Sequence, residues 1–121
     1  MINAEILRER TKLFSLSIIK IIRKLPKGLE YTIIGRQLLK SGTSVGANYR
    51  AACRARSKAE FFAKICIVVE EADETCYWLE LLQESGFNDV ELEKVKVEAD
   101  EIVKIFSSSR KTFQVKNRVM F

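Results

Sequence analysis

The sequence has no histidine, a single proline, five glycines and three cysteines, and each scarcity excludes something. Without histidine there is no Ser-His-Asp triad, no His-ligated zinc and no Glu-x-x-His motif of the di-iron bundles. Cys53, Cys66 and Cys76 are odd in number, form no C-x-x-C pair and fall inside helical patterns. They read as reduced, buried thiols and not as a disulfide framework or a metal knuckle. Glu70, Glu71 and Glu74 are oxygen donors of the kind that hold magnesium or calcium, but such a helical trio is more often a hydrogen-bonded face. The run SGTSVGAN lacks a Walker lysine and a preceding strand, so it is no phosphate loop. No apolar run approaches the roughly 18 residues of a membrane span, and Met1–Thr11 lacks the apolar centre of a signal peptide. The expectations are therefore no catalytic residue, no metal, no cofactor, no membrane, and a cytoplasmic location by default.

What remains is a 121-residue chain, 47% apolar and 31% charged, the size and composition of one domain with one core. So few helix breakers permit long helices. The organising stretch is Ser57–Ser85, where Phe61, Ile65, Val68, Ala72, Thr75, Leu79 and Leu82 recur at spacings of four and three. A second stripe, Ile67, Glu71, Glu74, Trp78 and Leu81, runs beside it, and Phe62, Cys66 and Val69 widen the apolar arc. Ser57 and Glu60 form an S-x-x-E capping box at its start.

The remaining helices fall on either side. The first is predicted over about 3–25, with Asn3 as N-cap, Leu7, Phe14, Ile18, Ile21 and Leu25 inward, and Pro26-Lys27-Gly28 as terminator. The second spans about 31–54, with a seam of Ile34, Leu38, Ser41, Val45, Asn48 and Ala52. Gly42 and Gly46 within it cost about 1 kcal/mol each against alanine, which suggests close approach by a neighbour. The third is 57–85. The fourth opens at Asn88-Asp89-Val90-Glu91 and runs over about 89–110, with Leu92, Val95, Ala99, Ile102, Phe106 and Phe113 inward and fraying expected beyond Arg110. The fold class is therefore all-α, an antiparallel up-down-up-down four-helix bundle over 1–112 with an apolar and basic tail at 113–121.

Two features invite a role. Ser41, Ser44 and Asn48 sit on the second helix where the carboxylates of the third can reach them, so a buried polar layer with Glu74 and Glu71 is expected, serving at least to fix helix register. The third helix also carries more apolar arc than one seam needs. Phe62, Ile67, Tyr77 and Trp78 are accordingly expected at an oligomer interface, or at a docking surface for another protein.

Charge is unevenly distributed. Through Lys58 there are 13 Lys/Arg against 3 Asp/Glu; from Ala59 onward, 8 against 13. On the second helix Arg36, Lys40, Arg50 and Arg54 share one stripe, with Arg56 and Lys58 just beyond. Such a stripe suits phosphates, or the acidic face of a neighbouring subunit in a head-to-tail ring. No RNA-recognition signature is present, so any binding should be electrostatic and read shape.

Nearly the whole chain resembles the proteins encoded in intervening sequences of bacterial 23S ribosomal RNA genes, with the signature between Gln37 and Gly86, through Ser41-Gly42-Thr43-Ser44-Val45-Gly46-Ala47-Asn48, Glu71-Ala72, Glu74-Thr75 and Tyr77-Trp78-Leu79. It is also similar to the accessory variability protein of diversity-generating retroelements. The resemblance implies a four-helix bundle assembled as a ring, a homopentamer in relatives, and in the second group a pentameric barrel that binds nucleic acid and a reverse transcriptase. It marks Ser41, Ser44, Asn48, Arg50, Ser57, Glu71, Glu74 and Trp78 as a shared core, none of them a catalytic residue. Ala51 and Glu70 depart from the pattern, which usually has glutamate at the first and often lysine at the second. Two functions stay open: a non-enzymatic ring that binds nucleic acid, RNA before DNA, through helices one and two; or an oligomeric scaffold for a protein partner, with the basic face used for assembly.

Overall fold

The structure, a computed structural model, describes residues 3–117. They form four helices, α1 (Ala4–Lys24), α2 (Leu29–Cys53), α3 (Lys58–Glu84) and α4 (Val90–Asn117), with no strand among the described residues.

Each boundary has a local cause. The Asn3 side chain accepts from the Ile6 N–H at 2.9 Å, and Ser57 does the same for Glu60 at 3.0 Å. The Asp89 carboxylate accepts from the Glu91 N–H at 2.8 Å to open α4. At the end of α3, Gly86 takes φ +107°, and its N–H bonds to Gln83 O while that of Phe87 bonds to Leu82 O. This is a Schellman turn, and glycine supplies its left-handed residue.

Sequential helices are neighbours, and their contacts run in opposite directions. Between α1 and α2, Leu25 lies against Gly35, Ile18 against Gly42 and Thr11 against Gly46. Between α3 and α4, Phe113 stacks on Phe62 at 5.4 Å, Cys76 reaches Asp100 and Gln83 reaches Glu93. The α1–α4 seam closes the ring of helices, with Arg10 forked onto Glu98 at 2.8 and 2.7 Å and Lys24 3.5 Å from Asp89. The core holds most of the inward residues expected of every helix, with Phe14, Ile18, Leu38, Val45, Ile65, Leu79, Ile102 and Phe106 almost fully enclosed, while Leu25, Ile34, Asn48, Phe61 and Phe113 are only partly buried.

The expected close approach at the glycines is present. A Cβ on Gly42 would lie 2.7 Å from Ile18 Cγ1, and one on Gly46 would lie 3.3 Å from the Thr11 carbonyl oxygen.

Three expectations need correction. First, α4 does not fray at Arg110 but continues to Asn117, because Phe113 is anchored against Phe61 and Phe62. The apolar tail residues Val119, Met120 and Phe121 lie outside the described residues.

Second, Phe62 is not interface surface: it is 1% exposed. The surplus arc of α3 is largely a second internal seam. Val68, Thr75 and Leu82 follow one line, which meets α2 through Thr75; Phe62, Val69 and Cys76 follow another, which meets α4. Trp78 also packs against the core, Ile67 is half-buried, and Tyr77 is 53% exposed.

Third, the polar layer keeps Ser41 but not its expected partners. Ser41 is enclosed, and its partner across the helix pair is Thr75, whose hydroxyl stands 2.9 Å from Ser41 Oγ and 2.7 Å from Glu71 O. Ser44 donates to its own helix at Lys40 O, and Asn48 to Ser44 O. Glu74 is exposed. A hydroxyl satisfies itself within one turn more cheaply than by ordering a long carboxylate.

Candidate nucleic-acid interface

The basic residues of α2 lie where the helix geometry demands. Gly35, Gly42 and Gly46 turn toward α1 and Ser41 toward α3, which leaves Arg36, Lys40, Arg50 and Arg54 on the outward face. All four are exposed. Arg56, in the α2–α3 connection, has a 92% exposed side chain and stands 3.9 Å from Glu60; Lys58, the first residue of α3, is exposed as well.

These six do not form one patch. Arg50 joins Arg8 and Lys12 of α1 around a groove of about 390 Å³, floored by Ser15, Gly46 and Ala47. The floor is shallow because Gly46 brings the two backbones together, and Ser15 donates to Gly42 O or Thr11 O at 3.2 Å rather than into the groove. Arg36 lines a separate depression of about 270 Å³ near Pro26, with Ile22, Tyr31 and Leu39. Arg56 and Lys58 belong to the end of the bundle, again with Arg8.

The i, i+4 spacing of Arg8 and Lys12 puts them on one helical face, but the sequence alone does not say that this face meets α2. What hides it is the rotation of α1 against α2.

Three cations converge on the α1–α2 groove, and none of the residues lining it is a carboxylate. Such a surface attracts anions by field and imposes little geometry on them.

The acids occupy other faces. Glu70 and Glu74 are exposed on α3 beside Tyr77. Glu71, near them, has Oε2 sealed from solvent with no hydrogen-bond partner. Burial raises its pKa, Glu74 raises it further, and Lys40 opposes both. Trp78 Nε1 is likewise sealed and unpaired. The Cys76 thiol, buried and beside Asp100, is pushed up to about 12, so it is no nucleophile at neutral pH. No group of three or more His, Cys, Asp or Glu among the described residues could hold a metal ion. No described helix is long and apolar enough to cross a membrane.

The fold has counterparts. A crystal structure of a protein of unknown function from the S23 ribosomal protein family of Bacteroides thetaiotaomicron superposes with a TM-score of 0.80 at 34% identity, covering 89% of this chain and 97% of that one. No curated protein is similar enough to count as a relative. The sequence model of the 23S rRNA-intervening sequence proteins matches residues 5–108, which include α1 but for its first residue, all of α2 and α3, the α1–α2 groove and most of α4. The chain belongs to the 23S rRNA-intervening sequence protein family.

Proposed function

We propose that this protein is a non-enzymatic, ring-forming bundle that binds nucleic acid, RNA before DNA, through the basic surface of α1 and α2. The observation that carries the reading is the convergence of Arg8, Lys12 and Arg50 on one groove with no carboxylate in its lining. A polyanion gains from releasing condensed counterions at such a surface whatever its sequence. Arg36, Lys40 and Arg54 extend the positive field along α2. Repetition around a ring would multiply it, and the resemblance to pentameric relatives makes five subunits the expected number.

The test is fluorescence anisotropy of a labelled RNA oligomer at several salt concentrations, on protein of known solution mass. Three phosphates neutralised per subunit correspond to a slope of log K against log salt of about −2. Lys12→Gln/Arg50→Gln should weaken binding and flatten that slope at unchanged mass. Absence of binding at low salt refutes the reading.

The second reading is a scaffold for a protein partner, with the basic face engaged in subunit assembly. It is favoured by the exposed apolar residues interspersed among the charges, Ile33 and Leu39 on α2 and Tyr77 on α3.

A further inference from the structure

One end of the bundle combines charge with aromatic surface. There the start of α1, the α2–α3 connection and the last turns of α4 surround two open depressions of about 570 and 530 Å³. Both are lined by Lys58, Phe61 and Phe113, so they are adjoining lobes of a trench that share these two aromatic rings. The two rings stand 5.5 Å apart at 40°, each only partly buried, and Phe113 is stacked from below by the enclosed Phe62. Arg8 and Arg56 rim one lobe and Lys116 the other. None of the residues lining either lobe is a carboxylate; Glu60, beside Arg56, stands outside them.

Cations on a rim with aromatic rings on the floor are the two components of single-strand recognition: the rim follows phosphates and the rings stack bases. Each lobe lies within the roughly 300–1,000 Å³ that holds small organic groups. A duplex keeps its bases stacked on one another and cannot present them to a recessed ring, whereas a single strand can turn them in.

We propose that this trench is a base-stacking site for single-stranded nucleic acid, adjoining the α1–α2 groove through Arg8, which lines both. The proposal rests on the nucleic-acid reading above and adds to it: groove cations hold the backbone, and Phe61 and Phe113 hold bases. It predicts preference for single strands over duplexes, and for stacking purines over uracil.

The experiment uses the whole 121-residue chain and three probes of equal length: oligoadenylate carrying 2-aminopurine, oligouridylate, and an A-form RNA duplex. Insertion of a base against Phe61 or Phe113 changes 2-aminopurine emission in the wild-type protein, a readout needing no variant. Phe61→Leu/Phe113→Leu keeps apolar packing but removes the stacking faces. It should lower oligoadenylate affinity roughly tenfold, about the effect of losing one stacked base, while duplex affinity and the salt slope stay unchanged. If all three probes bind equally and the variant alters none of them, the trench assignment fails and the groove reading stands. If no probe binds at low salt, both fail. A short peptide of alternating glutamate and phenylalanine that binds better than any single strand would overturn the assignment in favour of an acidic protein segment. Should the leucine variant lose helical signal, Lys58→Gln/Lys116→Gln takes its place, with a selective loss of single-strand affinity expected and an equal loss on the duplex counting against the trench.

Discussion

The glycines of α2 allow a sharp test of how the bundle is packed, because three alanine substitutions share one intrinsic gain and differ only in what they meet. In a helix interior each Gly→Ala change should stabilise by about 1 kcal/mol from backbone propensity. At Gly35 the new methyl would lie 3.1 Å from Leu25 Cδ1, the free end of a partly buried side chain that can swing away. At Gly42 it would lie 2.7 Å from Ile18 Cγ1 and 3.0 Å from Cγ2, close to the root of a β-branched side chain that is fully enclosed. Ile18 has no free rotamer to retreat to, so α1 and α2 must separate, an overpacking cost of about 1–3 kcal/mol. Gly35→Ala is therefore expected to be neutral or up to about 1 kcal/mol more stable, and Gly42→Ala to be destabilised by up to about 2 kcal/mol once the propensity gain is set against the overpacking cost. Gly46→Ala falls between them, since its obstacle is the Thr11 backbone carbonyl at 3.3 Å. The assay is urea unfolding followed by far-UV circular dichroism, at one fixed protein concentration because assembly shifts apparent stability. If Gly42→Ala matches or exceeds the wild type, the glycines are not there for close approach and the packing argument fails.

The internal polar pair gives a double-mutant cycle: Thr75→Val should cost about 1 kcal/mol by removing the Ser41 hydroxyl's partner on α3 and leaving it only the long bond to Leu38 O at 3.4 Å, and adding Ser41→Ala should cost less than it does alone. Glu71 gives a pH signature. Its carboxyl binds a proton more readily folded than at its usual 4.5, so its contribution to stability is lost as pH rises from 4.5 through the folded value. Glu71→Gln should therefore be the more stable protein at pH 7 and lose that advantage in acid, and an advantage independent of pH would refute the assignment. The Arg10–Glu98 fork, about one-third exposed on each side, should show a coupling of roughly 0.5–1 kcal/mol in an alanine cycle, reduced by salt.

Much of the fold was legible because its determinants are local. The four-three rhythm, the Asn3 and Ser57 caps and the Ser85-Gly86 stop are each written within a few residues. The errors arose where a residue's meaning depends on how many neighbours its helix has. α3 packs against both α2 and α4, and one helix with two neighbours needs two apolar seams. The line through Phe62, Val69 and Cys76 therefore signalled α4 and not a second subunit. The rhythm places Ser41 at a buried position, but it hides the partner, since Thr75 reads as apolar in a periodicity. For the candidate site, the cations of α2 were visible one by one. Their grouping was not, because it depends on which face of α1 lies alongside, and that rotation places Arg8 and Lys12 at the groove.

The correction at Phe62 changes what can hold the proposed ring together. With that ring and much of the α3 arc consumed internally, the outward face of α3 keeps Tyr77 with Glu70 and Glu74, while the outward face of α2 keeps Arg36 and Lys40 with Ile33 and Leu39. A head-to-tail contact would set the basic face of one subunit on the acidic face of the next. It would engage the Arg36–Lys40 half of α2 and leave the Arg8–Lys12–Arg50 groove free for phosphate. Assembly and binding are then separable by residue. Arg36→Glu/Lys40→Glu places acid against acid at every joint and should lower the mass measured by light scattering. Adding Glu70→Lys/Glu74→Lys to the same chain restores complementarity at every joint and should recover it, whatever the number of subunits. A mixture of the two double variants restores it only by alternation, which an odd ring cannot complete. Wild-type mass in the first variant would remove electrostatic pairing from the assembly, and the basic half of α2 would then belong with the groove.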